Sequence, residues 1–386
     1  MSNEPRILAL FGGAIVFGQE RGNMEALCAL QDQGCEVLCL IRDEAFSKQV
    51  PSALDSVGLK WKRVAYIEQR MPGRLLWFLF RNPYAFVRAN WQFLRITREF
   101  CPTHIHAFNA LYVLNFLPTL ALCDALLIYR AGDKPQRHNW FWKLIWSFIL
   151  RRTHRFVANS CYIAEELLKS GASKEKICLI YSAPARRRQV TKFQAPKRLA
   201  CNEVFFAYIG QISSEKGIDI LIDAFRRVAV CYPNARLLVA GRISDWSGDS
   251  WARAVRTQAL ADTICRDQMS FLGYVDDIMG LLEFCDVHVC PSVWDEPLAN
   301  VVMEAKVAGR PSIIFRSGGL PEVVIHGTDG YHCAEKNVES LASALRAYLD
   351  DTDMIKRHGI AAHASLSQLG VYKFPQAWRA VFGDSL

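Results

Sequence analysis

An α/β chain of two doubly wound units is the architecture this sequence predicts, on three observations. Short apolar runs alternate with helix-length stretches from end to end, the pattern of parallel strands covered by helices on both faces. The pattern starts twice, at residues 6–11 and again at residues 204–209. Between the two starts lies a polar, basic stretch, residues 185–202, which reads as a linker.

The elements follow in order. Residues 6–11 are an opening strand, Gly12 and Gly13 its turn, 23–32 a helix and 35–41 the second strand, a doubly wound beginning. HIHAFNA (104–110) follows a helix ending near Cys101 and Pro102 and reads as a strand at 105–107 running into a loop. Residues 107–129 are apolar enough to suggest a membrane span, but Asn109, Asn115, Pro118 and Asp124 interrupt them. A helix followed by a strand at 125–129 fits better. After the linker, the strand at 204–209 ends at Gly210. Residues 287–290 form a short buried strand, and Pro291 and a loop lead on to Glu296 and Pro297, where a proline in the first turn starts a helix. The expected division is 1–190, 203–370 and a last helix within 371–386, carrying Trp378.

Composition narrows the class. A chain of 386 residues, 51% hydrophobic, is ample for two packed cores. The start, MSNEPR, is polar and lacks the pattern of a cleavable signal. Thirteen cysteines without a CxxC pair point to reduced thiols and a cytoplasmic setting. The net charge of +8 is unevenly spread, about +14 over residues 1–199 and −6 over 200–386. In the first half, basic residues alternate with aromatics at 74–98 and 137–155, a pattern that suits an anionic membrane surface or simply the two faces of a packed helix. No nucleic-acid module accompanies these patches, so no nucleic-acid partner is expected.

The richest segment is VCPSVWDEPLANVVMEAKVAGRP, which holds Glu296 and Glu304 eight residues apart around the expected helix start. On an amphipathic helix such a pair is ordinarily two solvated charges. Here the first backbone amides, near Ala299 and Asn300, leave the carboxyl end of a strand, where a helix start attracts anions. A diphosphate fits.

With YIGQISSEKGIDILIDAF (208–225), LLVAG (237–241), FLGYV (271–275) and SGGLPEVV (317–324) in the same order, the chain resembles the retaining glycosyltransferases of family 4, with the GT-B fold. The resemblance implies an NDP-sugar donor bound by the second half and a glycan or lipid-linked acceptor bound by the first. The last helix would cross back to the first domain, and chemistry would take place in a cleft between the halves.

On the donor side it implies roles for Gly210, Gln211, Lys216, Gly241, Gly273, Val275, Glu296, Leu298, Ala299, Asn300 and Glu304. Lys216 would neutralise the departing diphosphate. Glu296 would contact the transferred sugar, Glu304 the ribose. Gln211 stands where the family typically has arginine, with Arg242 or Arg316 as candidate substitutes. On the acceptor side, the reactive histidine falls on His106, with His104 as runner-up; Gly12, Gly13, Asn109, Arg130, Asp133 and His138 are further candidates.

The implied reaction is transfer of a hexose from a UDP- or GDP-sugar to a hydroxyl with retention of configuration. It needs no cofactor and no metal, since Lys216 and helix amides supply the positive charge, and Asp276–Asp277 read as a surface turn. A GT-B epimerase or phosphorylase, or a non-catalytic sugar-nucleotide-binding scaffold, are the alternatives.

Overall fold

The computed structural model describes residues 4–13, 16, 18–43, 49–66, 83–183, 191–242, 255, 257 and 267–383. The chain divides into two units, one of Met1–Arg188 with Tyr372–Leu386, the other of Gln189–Val371.

Unit 1 is built on strands β1 (Arg6–Phe11), β2 (Glu36–Arg42), β3 (Lys60–Val64), β4 (His104–Ala107), β5 (Leu126–Ala131), β6 (Thr153–Ala158) and β7 (Ile177–Leu179). All pair in parallel in the order β3-β2-β1-β4-β5-β6-β7. The order reverses between β1 and β4, where Ala9 sits opposite His106. Ile7, Leu8, Ala9 and Leu10 of β1 have no exposed surface. Such a run is apolar without alternation because helices cover both faces of a parallel sheet.

Unit 2 repeats the design with β8 (Val204–Ile209), β9 (Ala235–Ala240), β10 (Met269–Gly273), β11 (Val287–Cys290), β12 (Ser312–Phe315) and β13 (Gly330–Cys333). They are parallel in the order β10-β9-β8-β11-β12-β13, with the reversal between β8 and β11. The carboxyl ends beside each reversal are where open α/β sheets bind ligands.

The last helix, Phe374–Val381, packs within unit 1 against helix Gly18–Asp32. Trp378 is its anchor, fully buried, with its ring 5.7 Å from that of His106. Among the described residues no helix is long and apolar enough to cross a membrane; residues 107–129 form helices Ala110–Asn115 and Leu117–Leu122 followed by β5.

The division between the units, after Arg188, falls within the basic stretch before β8. Where it is described, that stretch is fastened to unit 2: the Arg198 guanidinium donates to both Asp286 carboxylate oxygens at 3.0 and 3.1 Å and stacks on Phe205 and Phe284. Residues 184–190 lie outside the described set. One expectation is corrected: the basic aromatic helices do not segregate aromatics to one face. In Pro83–Phe100, Phe93 is core while Tyr84 and Trp91 face solvent, and in Trp140–Arg152, Trp142 and Trp146 are core while Trp140 is exposed. Arg152 caps backbone carbonyls of Leu120 and Ala125 rather than presenting its charge. Residues 74–82 are outside the described set.

Candidate active site

Three of the glycines singled out from sequence meet at the carboxyl ends of β8, β9 and β10. Gly210 N–H donates to Ala240 O at 3.0 Å and Gly241 N–H to Gly273 O at 2.8 Å. A Cβ on Gly241 would overlap Gly210 O, so the two strand ends approach closely only because no side chain intervenes. Gly273, at φ +68°, faces open space. The result is a floor of backbone at the edge of the sheet. Gln211 lies partly exposed beside it, its carbonyl accepting from the Tyr208 hydroxyl at 2.6 Å. Arg242 stacks 4.0 Å above the Tyr274 ring, and Arg316 is exposed.

Lys216 ends a short 3₁₀ turn, Ser214–Lys216, closed by Gly217 at φ +66°. A Cβ there would overlap Pro291 O, so glycine allows the turn to press against the loop after β11. Two donors lock it: Val293 N–H and Trp294 N–H, both to Glu215 O at 3.0 Å. The Lys216 ammonium forms an ion pair with Glu296 Oε1, which also accepts from Ser292 Oγ at 3.0 Å. The carboxylate is nearly buried while the lysine side chain keeps 32% exposure, so the cation has one face open to a solute.

The helix after this loop begins later than the sequence suggests. It spans Asn300–Val307 with Ala299 as N-cap, so Pro297 and Leu298 belong to the loop, and no side chain caps the start. Glu296 and Glu304 therefore do not share one helix: the first is held by the loop, the second by the helix's second turn. Both are buried, at 7% and 6% exposure. The SGG of the 317–324 motif supplies the support. Gly318, at φ +54°, lies where a Cβ would overlap Glu296 O, Gly319 N–H donates to that oxygen at 2.8 Å, and Ser317 Oγ donates to Ser292 O at 2.5 Å. Val275 packs partly buried beyond β10, and Asp277 proves to be the N-cap of helix Ile278–Phe284.

At the reversal in unit 1, the Gly12–Gly13 turn lies against Tyr112 and Glu20. Gln19 Nε2 ties helix Gly18–Asp32 to Phe108 O at 3.1 Å and reaches Asp133 Oδ2 at 3.5 Å. Arg130, near the end of β5, is buried and donates to Ser182 Oγ at 3.1 Å. Asn109 accepts from Leu111 N–H at 2.9 Å and so caps helix Ala110–Asn115. His138 is exposed on the flank of helix Trp140–Arg152, near the Trp142 ring.

His106 requires a correction. Its ring has no exposed surface, Nε2 pairs with Asn23 Oδ1 at 2.8 Å, and Trp378 covers one edge. Burial, with a smaller contribution from the Arg130 charge, pushes its pKa down to about 3. It is neutral at physiological pH and enclosed by core, so it neither exchanges a proton near neutrality nor meets a solute in this structure. His104 is similar: nearly buried, with Nδ1 on Thr103 Oγ1 and a pKa lowered by burial to about 4.

The family described as "Glycosyl transferases group 1" matches residues 189–364, and "Glycosyltransferase Family 4" matches residues 16–183. The first therefore takes in the whole Lys216–Glu296–Glu304 arrangement. The chain is a GT-B glycosyltransferase of group 1 and family 4.

This glycosyltransferase is 35% identical over 164 residues to glycogen synthase of Mycobacterium tuberculosis, a match spanning 42% of this chain and 37% of that one. It is 30% identical over 160 residues to the lipopolysaccharide 1,2-N-acetylglucosaminetransferase of Salmonella typhimurium, 41% of each chain. The chain thus spans about two fifths of the length of the curated relatives it matches. Its fold superposes on Anabaena Alr3699/HepE, solved with UDP and glucose, with a TM-score of 0.77 at 19% identity, covering 98% of this chain and 99% of that one.

Some residues that build the glycosyltransferase's site were not singled out from sequence. Ser292 and Ser317 hold the Glu296 loop, and the signals were present: a serine directly after Pro291, and the SGG run that was noted without a role. Lys306 is the other. It is buried at 1% exposure, with Nζ 2.6 Å from Asp329 Oδ2 and 2.9 Å from Ser365 Oγ, and it ties the helix carrying Glu304 to two neighbouring segments.

Proposed function

We propose that this glycosyltransferase moves a hexose from a nucleoside-diphosphate sugar, held at the carboxyl edge of the sheet in unit 2, to a hydroxyl of a glycan or lipid-linked acceptor held by unit 1. The observation that carries the reading is the Lys216–Glu296 pair, set on two interlocked turns beside an uncapped helix start. In the free protein the carboxylate keeps the lysine in place. An arriving diphosphate offers Lys216 a second anion and lies toward amides that already favour negative charge.

The chemistry then follows without an enzymic nucleophile. The bond from the anomeric carbon to the diphosphate oxygen breaks as a bond to the acceptor oxygen forms on the same face. The acceptor's proton passes to the departing phosphate oxygen, and configuration is retained. Lys216 and the amides near Asn300 take up the charge growing on that oxygen, the place where fixed charges contribute most. We assign Glu296 to the sugar, Glu304 to the ribose, and no resident metal or cofactor. A UDP-linked donor is favoured because the HepE structure carries UDP and glucose, with a GDP-sugar as alternative. The glycogen synthase and lipopolysaccharide transferase relatives favour a polysaccharide or envelope-type acceptor.

The exposed Tyr84, Trp91 and Trp140, near Arg88, Arg95 and Lys143, suit work at an anionic cytoplasmic membrane surface. Sedimentation with phosphatidylglycerol vesicles against phosphatidylcholine ones tests this part.

The first experiment is calorimetry with a panel of UDP- and GDP-sugars on the full chain and on Lys216→Ala and Glu304→Ala. Saturable binding of one nucleotide class, weakened by both changes, is the expected result. No binding of any sugar nucleotide would leave a scaffold as the better reading.

A further inference from the structure

Arg130 is a buried cation at the edge where unit 1 would bind its ligand. It sits next to last in β5, at the ligand-binding edge of unit 1, and is 3% exposed. Its guanidinium lies flat on helix Gly18–Asp32 at Gly22, where a Cβ would stand 2.8 Å from Nη2 and 3.1 Å from Nη1. Only a residue without a side chain lets it lie there. Among the described residues its one hydrogen bond goes to Ser182 Oγ at 3.1 Å, and burial alone, with no neighbouring carboxylate, governs its electrostatics.

Burying a cation without a counter-ion is among the costliest things a fold can do. The surroundings do not relieve it. The guanidinium lies against the second turn of the helix, at Gly22, which offers it no counter-charge. Burial pushes the guanidinium pKa down to about 10, which still leaves it charged at neutral pH. A planar fork of donors at the carboxyl edge of the sheet, backed by Gly22 and with one hydrogen bond to a neutral hydroxyl, is the arrangement that receives a phosphate or carboxylate.

We propose that Arg130 binds an oxyanion carried by the acceptor, so that the acceptor is an anionic molecule, phosphorylated or carboxylated, rather than a neutral glycan. This rests on the reading of unit 1 as the acceptor side and adds the chemical class. Ser182 is the positioning residue that fixes the fork.

The test uses the full chain with inorganic phosphate as probe, with and without saturating UDP, against chloride at matched ionic strength. The readouts are the Arg130 Nε–H resonance in protein labelled with ¹⁵N-arginine, and the melting temperature. Wild type is expected to show a saturable shift of that resonance and a phosphate-dependent rise in Tm, both surviving UDP. Arg130→Gln abolishes the Tm response; Arg130→Lys, which keeps charge but loses the fork, weakens phosphate about tenfold, and Ser182→Ala about fivefold.

No saturable response in wild type, or a Tm response intact in Arg130→Gln, overturns the proposal. So does a response that UDP abolishes, which would put the guanidinium on the donor's phosphates. Should Arg130→Gln fail to fold, unchanged phosphate affinity in both Arg130→Lys and Ser182→Ala sinks it equally. Wild type that ignores UDP but answers phosphate through Arg130 would count against the donor site alone.

Discussion

At the carboxyl edge of unit 2 the charged groups hold one another, whereas at the same edge of unit 1 they are enclosed separately. Lys216 pairs with Glu296, Ser292 steadies that carboxylate, and Gly217 and Gly318 bring the supporting backbones close enough for it to happen. In unit 1, His106 leans on Asn23 beneath Trp378, Asn109 is spent on a helix cap, and Arg130 meets one hydroxyl. One edge is a preformed electrostatic device with an open side. The other is a set of buried groups whose polarity is settled by the fold, with Arg130 the exception. The two sheets are alike, so the contrast comes from the loops and helices laid over them.

The contrast breaks first, and hardest, at a buried pair behind the unit 2 site. Lys306→Met leaves Asp329 without its cation in the core and should cost about 3–5 kcal/mol, while Lys306→Met with Asp329→Leu should recover most of it, because an apolar pair of like volume replaces a buried ion pair at little net cost. Urea unfolding followed by tryptophan fluorescence measures both. A double variant no more stable than the single would show that the pair does more than neutralise itself.

Lys216→Ala comes next. It removes the cation that we propose faces the diphosphate and leaves Glu296 near-buried without its counter-ion, so transfer should fall about 100-fold, mostly in kcat. Initial rates across donor concentration separate kcat from KM. A change confined to KM would move Lys216 from leaving-group stabilisation to simple binding.

Why unit 2 was legible and unit 1 was not follows from how each edge is assembled. Gly210, Lys216, Gly241, Gly273 and Glu296 belong to short local runs whose spacing is set by one strand and the turn after it, so the sequence keeps them in register. The strand runs at 6–11, 204–209 and 287–290 were readable because each is apolar apart from Arg6 and His288. The helix after Glu296 was misplaced because a proline is equally at home in a loop and in a first helical turn, and only tertiary hydrogen bonds from Gly319 decide between them. His106 was misjudged because its cover is Trp378, which approaches from the far end of the chain. No local pattern around HIHAFNA records that.

The buried histidines turn this into a pH experiment. An imidazole whose pKa falls from its ordinary 6.5 to about 3 on folding binds its proton more tightly in the unfolded chain, so it contributes no penalty above pH 6.5 and destabilises the fold progressively as pH drops toward 3. Between pH 6.5 and 5 His106 alone should cost about 2 kcal/mol. His106→Asn, compared with wild type at pH 7 and pH 5, should lose less stability on acidification by that amount. An equal acid sensitivity in the two proteins would mean that the ring is hydrated and reachable after all, which would return His106 to the substrate-contacting set.

The smallest effect tests the quietest residue of unit 1. Asn109 accepts from Leu111 N–H, and losing a helix cap of this kind costs about 1 kcal/mol, so Asn109→Ala should lower stability by that much while Asn109→Ser, which still caps, should not. Activity then discriminates between the two assignments. If the side chain only caps, the Ser variant retains full transfer, because the amide group itself has no further duty. If Asn109 also touches the acceptor, the Ser variant keeps its stability yet raises the acceptor KM, since a hydroxyl that caps the helix cannot also present the second donor that the amide carries. The separation of stability from KM in one conservative change is what would give unit 1's edge a direct contact with the acceptor.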